Sequence, residues 1–125
     1  MKVRAAMPNV MIVDDEAMVL LDLVMTVEEL GYEVHSECCC LKNALDAADG
    51  APPDVALLDI DVAGEPVWPL ARKLAEKGRP MVFISANLSH AELREEFAEC
   101  LALDKPVSRA EIAEAIEQAL APQGA

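Results

Sequence analysis

Apolar residues in this chain come in short blocks separated by longer amphipathic stretches. VMIV (10–13), VALL (55–58), MVFI (81–84) and CLAL (100–103) are unbroken runs of four. Runs this short, bounded by polar residues, predict strands buried on both faces. YEVHS (32–36) alternates and predicts a fifth, shorter strand. Residues 16–30 carry helical spacing and stop at Gly31, a fitting residue just past a helix end. Residues 42–48 predict a short helix closed by Gly50, with APPD as a turn behind it. Residues 67–77 predict a third helix, with Pro66 and Pro69 in its first turn and Gly78 at its end. SHAE (89–92) and SRAE (108–111) both have capping-box spacing, and predict helices running to about Phe97 and to Leu120.

Strand and helix thus alternate along the chain. That order predicts an α/β domain with a parallel sheet covered by helices on both faces. Ligands in such sheets gather beyond the carboxyl ends of the strands. Asp14, Asp15, Asp59, Ser85 and Lys105 all follow strands at that edge.

Length and charge narrow the picture. The chain has 125 residues, enough for one domain, and 54% of them are hydrophobic, which argues against wholesale disorder. No internal repeat is visible, and the tail APQGA is too short for a second domain. With 23 acidic against 10 basic side chains the net charge is -13. Such a surface repels phosphate backbones and anionic lipid, so neither direct nucleic-acid binding nor membrane insertion is expected. It suits a cation or a basic protein surface. The amino-terminal apolar run breaks at Asp14, too early for a secretory signal, so a cytoplasmic location is expected. Cys38, Cys39 and Cys40 are consecutive, and neighbouring side chains on extended backbone point opposite ways. With no zinc-spaced partner pair, reduced thiols are expected here and at Cys100. His35, His90 and Trp68 read as surface or packing residues. The apolar stripe of the first helix, with Met18, Leu21 and Met25, fits either the core or a docking face, core being at least as good a reading for Leu21 and Met25.

Three carboxylates held together repel one another unless a cation neutralises them. Clustered hard oxygens suit Mg²⁺. A carboxylate flanked by Mg²⁺, a lysine and a hydroxyl is equipped to attack phosphorus, because the oxygen charge that develops has a partner on every side. Each part alone has a plainer reading: an acid at a helix start, a turn serine, a solvated lysine. The combination, acids after strands one and three, hydroxyl after four and Lys-Pro after five, points to phosphoryl transfer to an aspartate.

VMIVDDE, VALLDID, FISA and DKP, in that order on strands one, three, four and five, resemble the receiver domain of two-component response regulators over nearly the whole chain. The resemblance implies a flavodoxin-like (βα)5 fold with strand order 2-1-3-4-5, as one receiver unit over residues 1–125 with no output domain. It implies that Asp59 is the phosphoacceptor, supplied by a histidine kinase or histidine phosphotransfer protein. Asp15 and Asp59 would ligate Mg²⁺ with the backbone carbonyl of Asp61, and Asp14 would act largely through water. Ser85, the N–H of Ala86 and Lys105 would contact the phosphoryl oxygens. An unidentified downstream protein would read the result, or the group would pass along a relay. GEPVWPLA and PMVFISAN also resemble a group of stand-alone alphaproteobacterial receivers with a Phe-Ala-Thr-Gly-like fourth strand, which implies stress-signalling kinases as partners.

Some positions depart from the common receiver pattern. Ala63-Gly64 stands where Pro-Gly is usual, Asp61 adds an acid, and Ala102 replaces the usual aromatic switch residue. Three rival readings are tested by the same residues. A haloacid-dehalogenase-like phosphatase would carry its nucleophile on the first strand and its paired acids last, the reverse of the order here. A flavin mononucleotide binder would not place Asp14-Asp15-Glu16 against a phosphate. A receiver-like binding module that is never phosphorylated has no need of the full set of acids, Ser85 and Lys105.

Overall fold

The computed structural model describes residues 7–121. The expectations for the basic start at 1–6 and for 122–125 of the tail lie outside the described residues. Five parallel strands form the sheet: β1 (Asn9–Val13), β2 (Glu33–Cys38), β3 (Val55–Leu58), β4 (Met81–Ser85) and β5 (Leu101–Asp104). Their spatial order is β2-β1-β3-β4-β5, the flavodoxin-like order expected. Helices follow each strand: α1 (Ala17–Glu29), α2 (Leu41–Asp49), α3 (Trp68–Glu76), α4 (Ala91–Glu95) and α5 (Arg109–Leu120).

Alternation along the buried strands splits the core in two. Val10 and Ile12 of β1 pack with Leu23, Val24 and Val27 of α1 and Ile112 and Ile116 of α5. Met11 and Val13 face the other way, into Leu41 and Ala44 of α2, Leu70 and Leu74 of α3, and Phe83. A strand lined on both sides by helices must be apolar at every position, which is why VMIV has no polar residue. The register sets Val13 beside Leu58, Leu58 beside Phe83 and Ser85 beside Asp104. β1 and β3 therefore end level, β4 and β5 run two residues further, and the residues after them share one edge.

Several local expectations change. β2 runs on to Cys38, which pairs with Val13, so the first of the three cysteines is a buried strand residue. The SRAE box forms: Ser108 Oγ accepts from the N–H of Glu111, and Glu111 Oε1 accepts from the N–H of Ser108. The SHAE box does not. α4 starts after His90 with no side-chain cap. Asn87 Oδ1 instead accepts from the N–H of Ser89, the donor that Glu92 would have bonded in a capping box. Pro66 is not in the first turn of α3 either. It closes a small antiparallel hairpin, Asp61–Val62 against Glu65–Pro66, while Pro69 does sit in that turn. The hairpin tip needs two left-handed residues, met by Ala63 (φ 54°) and Gly64 (φ 85°). Gly31 ends α1 at φ 93°, as its position predicts.

Candidate functional site

The site is built from chain that has just left the sheet. Asp14 follows β1, and its N–H donates to Cys38 O (3.1 Å), while the N–H of Asp59 donates to Val13 O (2.9 Å). These bonds extend the ladder one residue past the strands and hold the two acids side by side. Both are buried, at 1% and 7% exposure, whereas Asp15 is exposed. One carboxylate oxygen from each of Asp14, Asp15 and Asp59 lies within 4.8 Å of the others.

Lys105 enters from the far side of the sheet. Its N–H donates to Ser85 O (3.0 Å), which ties the chain beyond β5 to the end of β4. Its ammonium lies 2.8 Å from Asp14 Oδ2, and 3.2 Å from both Asp59 Oδ2 and Glu16 Oε1. Burial works against a charged lysine here. The close approach and charge of Asp14, then Asp59 and Glu16, outweigh it and raise the Lys105 pKa. Asp59 is raised above its ordinary value, first by burial and then by the charge of Asp14, with Lys105 and the N–H of Ile60 pulling the other way. Its two oxygens are both engaged: Oδ1 accepts from Ile60 N (2.8 Å) and Oδ2 from Lys105.

Asp14 Oδ1 accepts from the N–H of Glu16 (2.9 Å), but Oδ2, although close to Lys105, takes no well-aligned hydrogen bond. A buried carboxylate oxygen without an aligned donor, beside two further carboxylates, is a donor set for a hard divalent cation. The residues present fit Mg²⁺.

The other expected positions fall as follows. Ser85 is buried at the end of β4, with its Oγ accepting from the N–H of Asn87 (3.3 Å), and Ala86 next to it is exposed. Asp61 lies in the hairpin, outside the cluster of three, with its Oδ1 accepting from the N–H of Gly64 (3.0 Å). Ala102 is half-buried on β5, beside Phe83. Trp68 is a packing residue, as expected, against Phe83, His90 and Phe97. His35 bonds Ser36 Oγ and Ala51 O, away from the acids. The four cysteines are free thiols, and burial pushes Cys38 and Cys100 up, away from thiolate reactivity. Met18, Leu21 and Met25 are exposed at 79%, 54% and 50%, so the core reading of Leu21 and Met25 is corrected. α1 turns Leu23, Val24 and Val27 inward, and a helix has only one inner face.

Glu16 is the partner that sequence reasoning missed. It is visible as a third acid, but its pairing with a lysine 89 residues away exists only once the sheet is assembled. A groove of about 940 Å³ lies at the opposite, amino-terminal edge, lined by Asp54, Arg79, Met81 and Leu101 among others.

Comparison with known proteins agrees with this geometry. Residues 10–117 match the family model of the response regulator receiver domain. The transcriptional regulatory protein PdtaR of Mycobacterium tuberculosis is 29% identical over 120 residues, covering 93% of this chain and 58% of that protein. The positive alginate biosynthesis regulatory protein of Pseudomonas aeruginosa is 34% identical over 119 residues, 91% of this chain and 48% of that one. The chain thus spans about half the length of these curated relatives. Among solved structures, a response regulator receiver protein from Sinorhizobium medicae superposes with a TM-score of 0.80 at 27% identity, covering 91% and 94% of the two chains.

Proposed function

Since the chain belongs to the family of response regulator receiver domains, we propose that Asp59 accepts a phosphoryl group from the phosphohistidine of a histidine kinase or histidine phosphotransfer protein. The observation that carries this reading is the junction of Asp14, Asp15, Asp59 and Lys105 at one sheet edge, with Ser85 tied to Lys105 through the backbone.

In the transfer, an Asp59 carboxylate oxygen attacks phosphorus. The P–N bond breaks and its electron pair returns to the imidazole ring. Asp15, Asp59 and the backbone carbonyl of Asp61 would hold Mg²⁺, with Asp14 acting through water. Bound there, Mg²⁺ supplies the positive charge that lets an anionic phosphoryl group approach a carboxylate. Lys105, kept charged by its acidic neighbours, pairs with one phosphoryl oxygen. The Ser85 hydroxyl and the Ala86 N–H donate to others. Lys105 and Mg²⁺ would share the negative charge of the same acids.

The donor docks on the exposed Met18, Leu21 and Met25, a stripe that starts about one turn of helix beyond Asp15. Contiguous apolar side chains beside a reactive carboxylate suit a helical protein partner better than a small substrate. The order of the acids along the chain, paired after β1 and single after β3, supports a signalling phosphoacceptor over a phosphatase. Among the described residues no helix is long and apolar enough to cross a membrane.

The test uses Mg²⁺ and a small acyl phosphate as donor. The wild type takes up a hydroxylamine-sensitive phosphate and Asp59→Asn takes up none. Equal labelling of the two would show that Asp59 is not the acceptor.

A further inference from the structure

α4 is poorly attached in its own right. It has five residues, none of them buried, and no side-chain cap. Leu93 packs on the core from within it, and its other attachments lie just outside it, on α3 and on Phe83 of β4. Phe97, 5% exposed, stacks on Trp68 with ring centroids 5.7 Å apart and planes 13° from parallel. His90 meets Trp68 edge-on at 5.8 Å, and Phe83 lies under both rings, 5.7 Å from Trp68 and 5.5 Å from Phe97. Glu96 accepts two hydrogen bonds from Arg72, at 2.7 and 2.8 Å, a bidentate geometry that fixes orientation as well as distance.

Both sides of the phosphoacceptor site lead to that same indole. On one side Asp59 Oδ1 accepts from Ile60 N, Ile60 O accepts from Val67 N at 2.8 Å, and Trp68 is next. On the other, Ser85 Oγ accepts from Asn87 N, Asn87 Oδ1 accepts from Ser89 N, and His90 follows. The loop that begins at Asp59 and the loop that begins at Ser85 thus meet through Trp68.

We propose that Trp68, Phe97 and the Arg72–Glu96 pair form a latch that is closed in this structure and opens when Asp59 carries an anion. The proposal rests on Asp59 being the acceptor. The anion needs the Ser85 hydroxyl as a donor, and Asn87 is bonded to that hydroxyl. Drawing residues 85–90 toward Asp59 pulls His90 and α4 off the face of Trp68. An anion shifts the equilibrium only if it binds the two states unequally. Linkage then requires the converse: weakening the latch tightens anion binding.

Beryllium fluoride with Mg²⁺ is the probe, its binding followed by ¹⁹F NMR. Trp68 is the only tryptophan, so its emission reads the latch directly. In the wild type, saturation moves the emission to longer wavelength, beyond the effect of Mg²⁺ alone. Arg72→Gln, and Phe97→Leu as a variant that keeps an apolar side chain, bind beryllium fluoride roughly two- to fivefold tighter, with Mg²⁺ affinity unchanged. In about 1 M salt the gain from Arg72→Gln shrinks and that from Phe97→Leu stays, because only the first is an exposed ion pair. A bound ¹⁹F signal with unmoved Trp68 emission overturns the latch and leaves the acceptor reading standing. So do variants that bind no more tightly, or that change Mg²⁺ affinity in step. Absence of any bound ¹⁹F signal overturns both.

Discussion

Lys105 Nζ lies 2.8 Å from Asp14 Oδ2, closer than to any other acid of the site. The lysine thus sits in the negative field that would also draw a divalent cation, and each weakens the other's hold. Lys105→Met should raise Mg²⁺ affinity by roughly three- to tenfold, while Asp15→Ala lowers it sharply. Calorimetric titration at neutral pH reads both. A Lys105→Met protein that binds Mg²⁺ less tightly would show that the lysine organises the acids instead of competing for them.

Asp59 offers a check on the cost of the site. Its pKa is raised in the folded chain, by burial and then by Asp14. The folded state therefore holds this proton more tightly than the unfolded chain does, whose aspartates titrate near about 3.9. Stability from this group is full below that pH and is lost as pH rises through the raised folded value. Asn cannot ionise and escapes the loss. Without metal, Asp59→Asn should melt above the wild type at pH 7, and the gap should narrow as pH falls through the aspartate range. A gap that does not depend on pH would rule out ionisation of Asp59 as its cause.

The exposed stripe of α1 separates docking from chemistry. Leu21→Glu puts a charge in the middle of Met18, Leu21 and Met25 without touching the inward residues Leu23, Val24 and Val27. Phosphotransfer from a cognate kinase should fall at least about tenfold, the scale of one lost interface anchor. Labelling by a small acyl phosphate should be unchanged. Equal losses with both donors would mean that the substitution harmed the acid site and not a docking face.

Two serines with the same local sequence signal should differ in worth. Ser108 caps α5 and Ser89 caps nothing. Ser108→Ala should cost about 1 kcal/mol of stability, and Ser89→Ala close to none, by urea denaturation. Similar costs at both positions would contradict the different starts of α4 and α5.

What the sequence determined by itself was whatever depends on short-range pattern. Three of the apolar quartets form doubly covered strands, so the parallel sheet and the edge that carries Asp14, Asp59, Ser85 and Lys105 were legible, whereas CLAL gives a half-buried edge strand that starts only at Leu101. So were the ends of α1 and α5, because Gly31 and the Ser108–Glu111 box act within one turn of helix. Tertiary structure decided what depends on residues far apart in the chain. Only the assembled sheet brings Lys105 to Glu16 and Asp14, and only α3 against α4 shows that Trp68 is shared by both loops of the site. Ser89 had the right neighbours for a cap but lost its N–H to Asn87. Leu21 and Met25 had the right spacing for a core but lie on the side of α1 that no other described element covers. Local pattern limits what a segment can do, and the partners that the fold brings to it select among those options.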